Sequence, residues 1–315
     1  MSPAAPDAGG RAGTTRSRPA PAKINLALVV GPLRPDGKHE VATVYQRIDL
    51  ADTITLESRP GAAGAAGGAA RGAAGGALVG PPGVGPGTEP AIVVEGFGED
   101  TLVTRALEEL AAAAAIRPAW RARIDKRIPV AAGLGGGSSD AAAALALANE
   151  ALGAAAVSAE RLHAIATALG ADVPFFLTAA PQLGSGDGAE LAPLALPLDY
   201  AVLLLRPTAA VKESTGAIYA AFAARDGALG WAARRAALVA ALAAVRVPRD
   251  LATLPPNDLA TSPLARRILA AGAFRADVTG AGPLLYGLFD DVPAAIAAAI
   301  ELAPLGTTWI ARPTC

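Results

Sequence analysis

Cysteine is almost missing from this 315-residue sequence, and the one copy, Cys315, is its last residue. A disulfide framework or a cysteine zinc site within one chain is therefore excluded. Two histidines, His39 and His163, are too few for a histidine metal cage. Neither sign of charge dominates: 27 Lys and Arg face 28 Asp and Glu, for a net charge of −1. Such a balance gives no bulk grip on nucleic acid or an anionic membrane. Aromatic residues make up 4%, and no stretch of about eighteen residues stays apolar without a charge, break or polar cluster, so no transmembrane helix is expected. What the chain has is alanine, 35 glycines and 26 prolines, within a 52% apolar fraction. The expectation is a cytoplasmic α+β protein whose chemistry comes from Asp, Lys, Ser and backbone amides.

The length allows one large domain or two ordinary ones. Residues 1–18 lack an apolar core and read as a disordered tail rather than a signal segment. Order is expected from Ala22, where Lys23 and Asn25 alternate with Ile24, Leu26 and Leu28 as a period-two strand. Pro35-Asp36-Gly37 reads as a turn, and 41–50 and 52–57 as further strands. Residues 60–90, nearly all Gly, Ala and Pro, read as a flexible insertion. Beyond it the pattern predicts a strand at 92–94, a helix at 101–115, a strand at 120–128, and helices at 139–152 and 158–169. Strands at 200–205, 275–278 and 284–289 and helices at 214–224, 230–245, 257–271 and 292–302 follow. The mixture has no strict βαβ repeat, which favours α+β.

The richest local signal is Pro129-Val130-Ala131-Ala132-Gly133-Leu134-Gly135-Gly136-Gly137-Ser138-Ser139-Asp140. Glycines between a strand and a helix let backbone N–H groups converge on an anion at the helix N-terminus, with Ser138 or Ser139 as the cap. The run lacks the Lys-Ser/Thr ending of a Walker loop and the final glycine of a dinucleotide fingerprint. By itself it also fits a mobile turn before a capped helix.

Taken together, four ordered motifs resemble the galactokinase, homoserine, mevalonate and phosphomevalonate kinase superfamily. They are the glycine loop, Pro21-Ala22-Lys23-Ile24-Asn25-Leu26, Arg34-Pro35-Asp36-Gly37-Lys38-His39-Glu40 with Asp49-Leu50-Ala51-Asp52-Thr53-Ile54, and Gly170-Ala171-Asp172-Val173-Pro174-Phe175-Phe176. The double-extended glycine run is similar to the branch whose substrate is a cytidine-diphosphate sugar alcohol, 4-diphosphocytidyl-2-C-methyl-D-erythritol. The resemblance spans about residues 20–310 without the insertion.

It implies two lobes with a cleft between them, an ATP-binding lobe at 19–185 and a substrate lobe at 186–315. It also implies ATP-dependent phosphorylation of the alcohol's 2-hydroxyl in non-mevalonate isoprenoid biosynthesis, by a monomer or weak homodimer. Lys23 and Asp172 would be catalytic. The stretch from Pro129 to Ser139, with Thr101 and Lys126, would hold ATP, and Ser139 would reach Mg²⁺. Asn25, Lys38, His39, Tyr219, Gly280 and Gly282 would bind substrate.

Read without the family, Asp172 fits a helix cap before Pro174, Lys23 a strand-edge charge, Tyr219 a helix-face core residue and Ser139 a plain cap. His163 has no matching motif and reads as structural. Several positions depart from the family's pattern: Lys38 stands where an aromatic is usual, Thr101 where Asn is, Asp187 where Arg is common, and Ala281 where a hydroxyl residue is usual. Two further readings stay open, a sibling kinase of another alcohol and a non-catalytic nucleotide-binding relative.

Overall fold

The computed structural model describes residues 13–59, 92–98, 101–209 and 213–315. The expected insertion and most of the expected tail lie outside these residues, as does the side chain of Thr101. Strands β1 (Thr14–Leu33) and β2 (His39–Arg59) form one long antiparallel ribbon. The chain thus becomes a strand eight residues before the expected Ala22. Thr14 to Pro19 find partners on β2 from Ser58 to Thr53, a pairing invisible in the local sequence. The two expected strands 41–50 and 52–57 are likewise continuous in β2.

The other edge of β2 is shared by three partners in succession. Strand β5 (Gln182–Ser185) pairs at Thr43–Tyr45, β11 (Pro313–Thr314) at Arg47–Ile48, and β4 (Ala119–Asp125) at Thr53–Arg59. Strands β3 (Ile92–Glu95) and β6 (Glu190–Pro193) complete the seven-stranded sheet. Helices α1 (Thr101–Ala113), α2 (Gly136–Ala151) and α3 (Ala159–Leu169) cover it through Leu107, Leu110, Leu145 and Ile165, packed on Ile54, Leu56 and Ile124.

A second sheet runs β10-β7-β9-β8, from β7 (Ala201–Pro207), β8 (Arg275–Val278), β9 (Leu285–Phe289) and β10 (Gly306–Ala311). Helices α6 (Leu264–Ala270) and α7 (Val292–Leu302) pack on one face of it. Its other face meets Ile24, Leu26, Val44 and Ile48 in a core shared by both sheets, where Tyr286 donates to the Leu26 carbonyl at 3.1 Å. Helices α4 (Thr215–Ala224) and α5 (Trp231–Ala244) flank the far end of β1. Among the described residues, no helix is long and apolar enough to cross a membrane.

The structure departs from the sequence pattern at further places. The helix expected at 257–271 is only α6, because Asn257 holds an irregular segment. Its side chain donates to the carbonyls of Val278 and Gly280 and accepts from the Leu259 N–H. Strands β5, β6, β10 and β11 are additional, each short or set by a distant partner. In β1 the alternation does not run through Leu28. The register slips between Asn25 and Ala27, a bulge that places Leu26 and Ala27 in the same core and turns Leu28 toward Val30, Val41 and Phe222.

Candidate active site

Lys23 and Asn25 lie two apart on β1, opposite Arg47 and Tyr45 of β2, so four polar or aromatic side chains share one face. The Lys23 ammonium donates to Asn25 Oδ1 at 2.6 Å. Asn25 Nδ2 donates to Thr43 Oγ1 at 2.7 Å, and that hydroxyl donates to the Ala27 carbonyl. Each member is buried and satisfied, so the ammonium is held in one place.

Asp172 meets it from the other side. Its Oδ2 lies 3.5 Å from Lys23 Nζ, and its Oδ1 accepts from the Tyr45 phenol at 3.0 Å. The helix-cap reading fails at Asp172, since the short 3₁₀ turn Pro174–Leu177 is preceded by Val173 at the cap position and has no side-chain cap. The Lys23 side chain is 5% exposed and that of Asp172 32%, so the carboxylate is the partner that a ligand can reach.

The glycine loop arches over this pair. Ala131, Gly133 and Gly135 have φ of +61°, +80° and +69°, a left-handed residue at every second position. Alternation of this kind turns successive N–H groups to one side, the shape of an anion nest. The Lys23 N–H donates to the Leu134 carbonyl at 2.9 Å, tying the loop to β1. A methyl group at Gly135 would come within 3.1 Å of Lys23 Cγ and of the Phe176 ring.

Helix α2 begins at Gly136 with Gly135 as its cap, so neither Ser138 nor Ser139 caps it. Ser139 lies inside the first turn, and its buried Oγ has no hydrogen-bond partner among the described residues. An orphaned hydroxyl at a helix N-terminus, beside a nest, fits a ligand to a phosphate-bound cation. Among the described residues, no group of three or more His, Cys, Asp or Glu could hold a metal. Such a cation would depend on phosphate and water for its other ligands, which suits Mg²⁺.

Lys126, expected on the ATP side, is held by two carboxylates. Its ammonium lies 2.6 Å from Asp52 Oδ2 and 2.8 Å from Asp140 Oδ2, and Asp52 Oδ1 also accepts from the N–H groups of Arg127 and Ile128. Burial works to lower the Lys126 pKa, but the hydrogen bonds to Asp140 and Asp52 prevail and raise it. This cluster fastens β2 and the chain after β4 to α2 directly beneath Gly136.

The opposite wall comes from the second sheet's loop, Thr279-Gly280-Ala281-Gly282. A methyl at Gly133 would lie 2.6 Å from the Thr279 carbonyl oxygen, and one at Gly280 3.6 Å from Lys23 Nζ. The two glycine loops therefore meet over the same lysine. Thr279 Oγ1 accepts from the Asn25 N–H, and Asn257 holds the Gly280 carbonyl. Between these walls lies a cleft of about 790 Å³, lined by Lys23, Asn25, Ser138, Asp172, Gly280 and Gly282 at its floor. Lys38, His39, Asp187 and Tyr219 line it farther out.

His39 Nδ1 lies 2.8 Å from the Gly31 carbonyl, which can only accept, so Nδ1 is the donor there, and the tautomer that this contact selects has Nε2 as its acceptor. The His39 and Tyr219 rings stack on each other, 5.3 Å apart at 23°, instead of facing across a gap. Lys38 takes no aromatic wall's place. Its ammonium pairs with Asp187 Oδ2 at 2.5 Å, so two residues that each depart from the family's pattern are partners. Tyr45 and Asn257 had escaped the sequence reading. The signal for Tyr45 was there, in the Thr43-Val44-Tyr45 alternation opposite Asn25, whereas Asn257 offered none.

Residues 101–179 match the model of the GHMP kinases N terminal domain. The 4-diphosphocytidyl-2-C-methyl-D-erythritol kinase of Geobacter sulfurreducens is 34% identical over 297 residues, 89% of this chain and 92% of its own length. Its counterpart in Pelotomaculum thermopropionicum is 37% identical over 289 residues, 87% and 89% of the two chains. Among solved structures, a 4-(cytidine 5'-diphospho)-2C-methyl-D-erythritol kinase superposes with a TM-score of 0.70 at 31% identity, over 95% of this chain and all of that one. Methanococcus jannaschii mevalonate kinase shares the fold, with a TM-score of 0.67 at 12% identity over 98% and 99% of the chains. With more than 30% identity along most of its length and the same overall fold, this chain belongs to the 4-diphosphocytidyl-2-C-methyl-D-erythritol kinase family of GHMP kinases.

Proposed function

We propose that the protein transfers the γ-phosphoryl group of ATP to the 2-hydroxyl of 4-diphosphocytidyl-2-C-methyl-D-erythritol, for isoprenoid precursor synthesis in the cytoplasm. The observation that carries this reading is the Lys23–Asp172 pair at the floor of a cleft roofed by the 133–137 nest and walled by the 279–282 loop. Phosphoryl transfer asks mainly for positioning and charge neutralisation, and this arrangement supplies both.

The nest and the N-terminus of α2 hold the ATP phosphates. Asp172 accepts the hydrogen bond of the substrate hydroxyl, aiming an oxygen lone pair at the γ-phosphorus. As that O–P bond forms and the bridging P–O bond of ATP breaks, the hydroxyl proton passes to Asp172 and ADP leaves. Lys23 balances charge on the transferring group and on the carboxylate. Ser139 would hold Mg²⁺ together with phosphate oxygens, and the bound ion would neutralise phosphate charge.

On the substrate side, Asn25, Gly280 and Gly282 frame the alcohol. His39 Nε2 suits an amino group on the base edge, and the open face of Tyr219 suits its ring. The proposed division is an ATP lobe over 19–185 and a substrate lobe over 186–315, with β6 and β11 returned to the first sheet, in a monomer or weak homodimer. A coupled ADP-release assay with CMP as competitor tests the substrate. Turnover that CMP suppresses supports the cytidine reading. Turnover of another alcohol, indifferent to CMP, would favour a sibling kinase.

A further inference from the structure

The hairpin motif Gly184-Ser185-Gly186-Asp187-Gly188 has no part in the phosphoryl transfer just described, yet its glycines have a clear steric purpose. A methyl group at Gly184 would lie 2.6 Å from Cε2 of Tyr45, and one at Gly188 would lie 2.7 Å from the Tyr45 phenol oxygen. Gly188 also has φ of +105°, which side-chain-bearing residues rarely adopt. The Phe175 ring closes another side of the slot at 5.0 Å. The hairpin is therefore shaped around one buried phenol, whose hydroxyl reaches Asp172 Oδ1 at 3.0 Å.

Burial first, and then the charge and hydrogen bond of Asp172, push the Tyr45 pKa well above the ordinary phenol value, so the group stays a donor. With Oδ1 occupied by this donor and Oδ2 facing Lys23, the carboxylate has one orientation about its terminal torsion. Without the phenol, that broad torsion is free to turn and the lone pair meant for the substrate hydroxyl loses its aim.

We propose that Tyr45 is a positioning residue for the phosphoryl acceptor site, fixing the rotation of Asp172 from a glycine-lined slot in the β5–β6 hairpin. The proposal rests on Asp172 receiving the substrate hydroxyl, as argued above. Tyr45→Phe keeps the ring and removes only the oxygen. It is expected to lower kcat about tenfold, the effect of one hydrogen bond to a charged group, with KM for ATP little changed and the melting temperature modestly lowered. In an Asp172→Ala background the same substitution should cost nothing more.

Wild-type kcat in Tyr45→Phe, or a full further loss on top of Asp172→Ala, would overturn the proposal. A denaturation cycle on Tyr45→Phe and Asp172→Ala reads the same contact without any substrate. Non-additive midpoints are expected, and additive ones would overturn the proposal. If the wild-type protein phosphorylated no cytidine substrate, the functional reading would fall, while this cycle would still decide whether Tyr45 holds Asp172.

Discussion

Ser139 illustrates how a single side chain separates stability from function. Its hydroxyl is buried and unpartnered among the described residues, so folding derives nothing from it and desolvation counts against it. Ser139→Ala is therefore expected to leave the melting temperature unchanged or slightly higher. The Mg²⁺ concentration for half-maximal turnover should meanwhile rise by roughly tenfold, as befits the loss of one ligand. A melting curve and a Mg²⁺ titration check both halves, and a destabilised variant with an unaltered titration would make Ser139 structural. Lys23 and Asp172 were legible at this scale because each sits in a short ordered motif. Tyr45 was legible only as part of a strand alternation, because the slot that gives it a role comes from Gly184 and Gly188, far away in the chain.

Elements add constraints that no residue carries alone. The two glycine loops touch, with Gly133 facing the Thr279 carbonyl, so a methyl there must push the loops apart or leave the left-handed region. Gly133→Ala should cost on the order of 2 kcal/mol and raise KM for ATP. Gly137→Ala, with open space around it on α2, should leave stability equal or better. Chemical denaturation of the pair checks the contrast, and equal losses would mean that the loops are not in contact.

The Lys38–Asp187 pair joins the turn before β2 to the β5–β6 hairpin at the cleft mouth. Burial alone would raise the Asp187 pKa, but the Lys38 hydrogen bond and the Ala189 N–H prevail and lower it. A depressed carboxylate contributes stability above its unfolded value, near pH 4, and loses it as pH falls through the lower folded value. The pair is thus closed at neutral pH and opens only in acid. In Lys38→Met the Asp187 carboxyl titration, followed by NMR, should move upward; no movement would break the pairing. Most helices were legible from their alanine-rich runs and caps. The exception at 257–271 arose because Asn257 spends its side chain on the 278–280 backbone, a tertiary demand that helical propensity does not record.

Across the whole molecule, the face of the proposed site is made where distant stretches of chain converge. Residues 23–25 and 43–47 lie side by side on one ribbon, 133–139 and 172–176 come from the helical side, and 279–282 arrives from the second sheet. The C-terminus adds a closing stitch. The Arg312 N–H donates to Asp49 Oδ1, the Asp49 N–H donates to the Arg312 carbonyl, and β11 pairs beside Arg47. Strands β10 and β11 escaped the sequence because their partners, β7 and β2, are remote and neither stretch alternates strongly. The glycine loop and the lysine strand, by contrast, announce themselves locally, which is why the cleft could be anticipated before its walls.

The Lys23–Asp172 pair in this cleft is proposed to direct phosphoryl transfer to a cytidine-diphosphate sugar alcohol. The most direct test is ADP release by wild type and Asp172→Ala, with Mg-ATP and 4-diphosphocytidyl-2-C-methyl-D-erythritol, beside an ATP-binding measurement on both proteins. Substrate-dependent turnover is expected to fall by about 10²–10⁴ in the variant while ATP still binds. Wild-type turnover surviving in Asp172→Ala, or well-folded ATP-binding wild type that releases no ADP with this substrate, would contradict it.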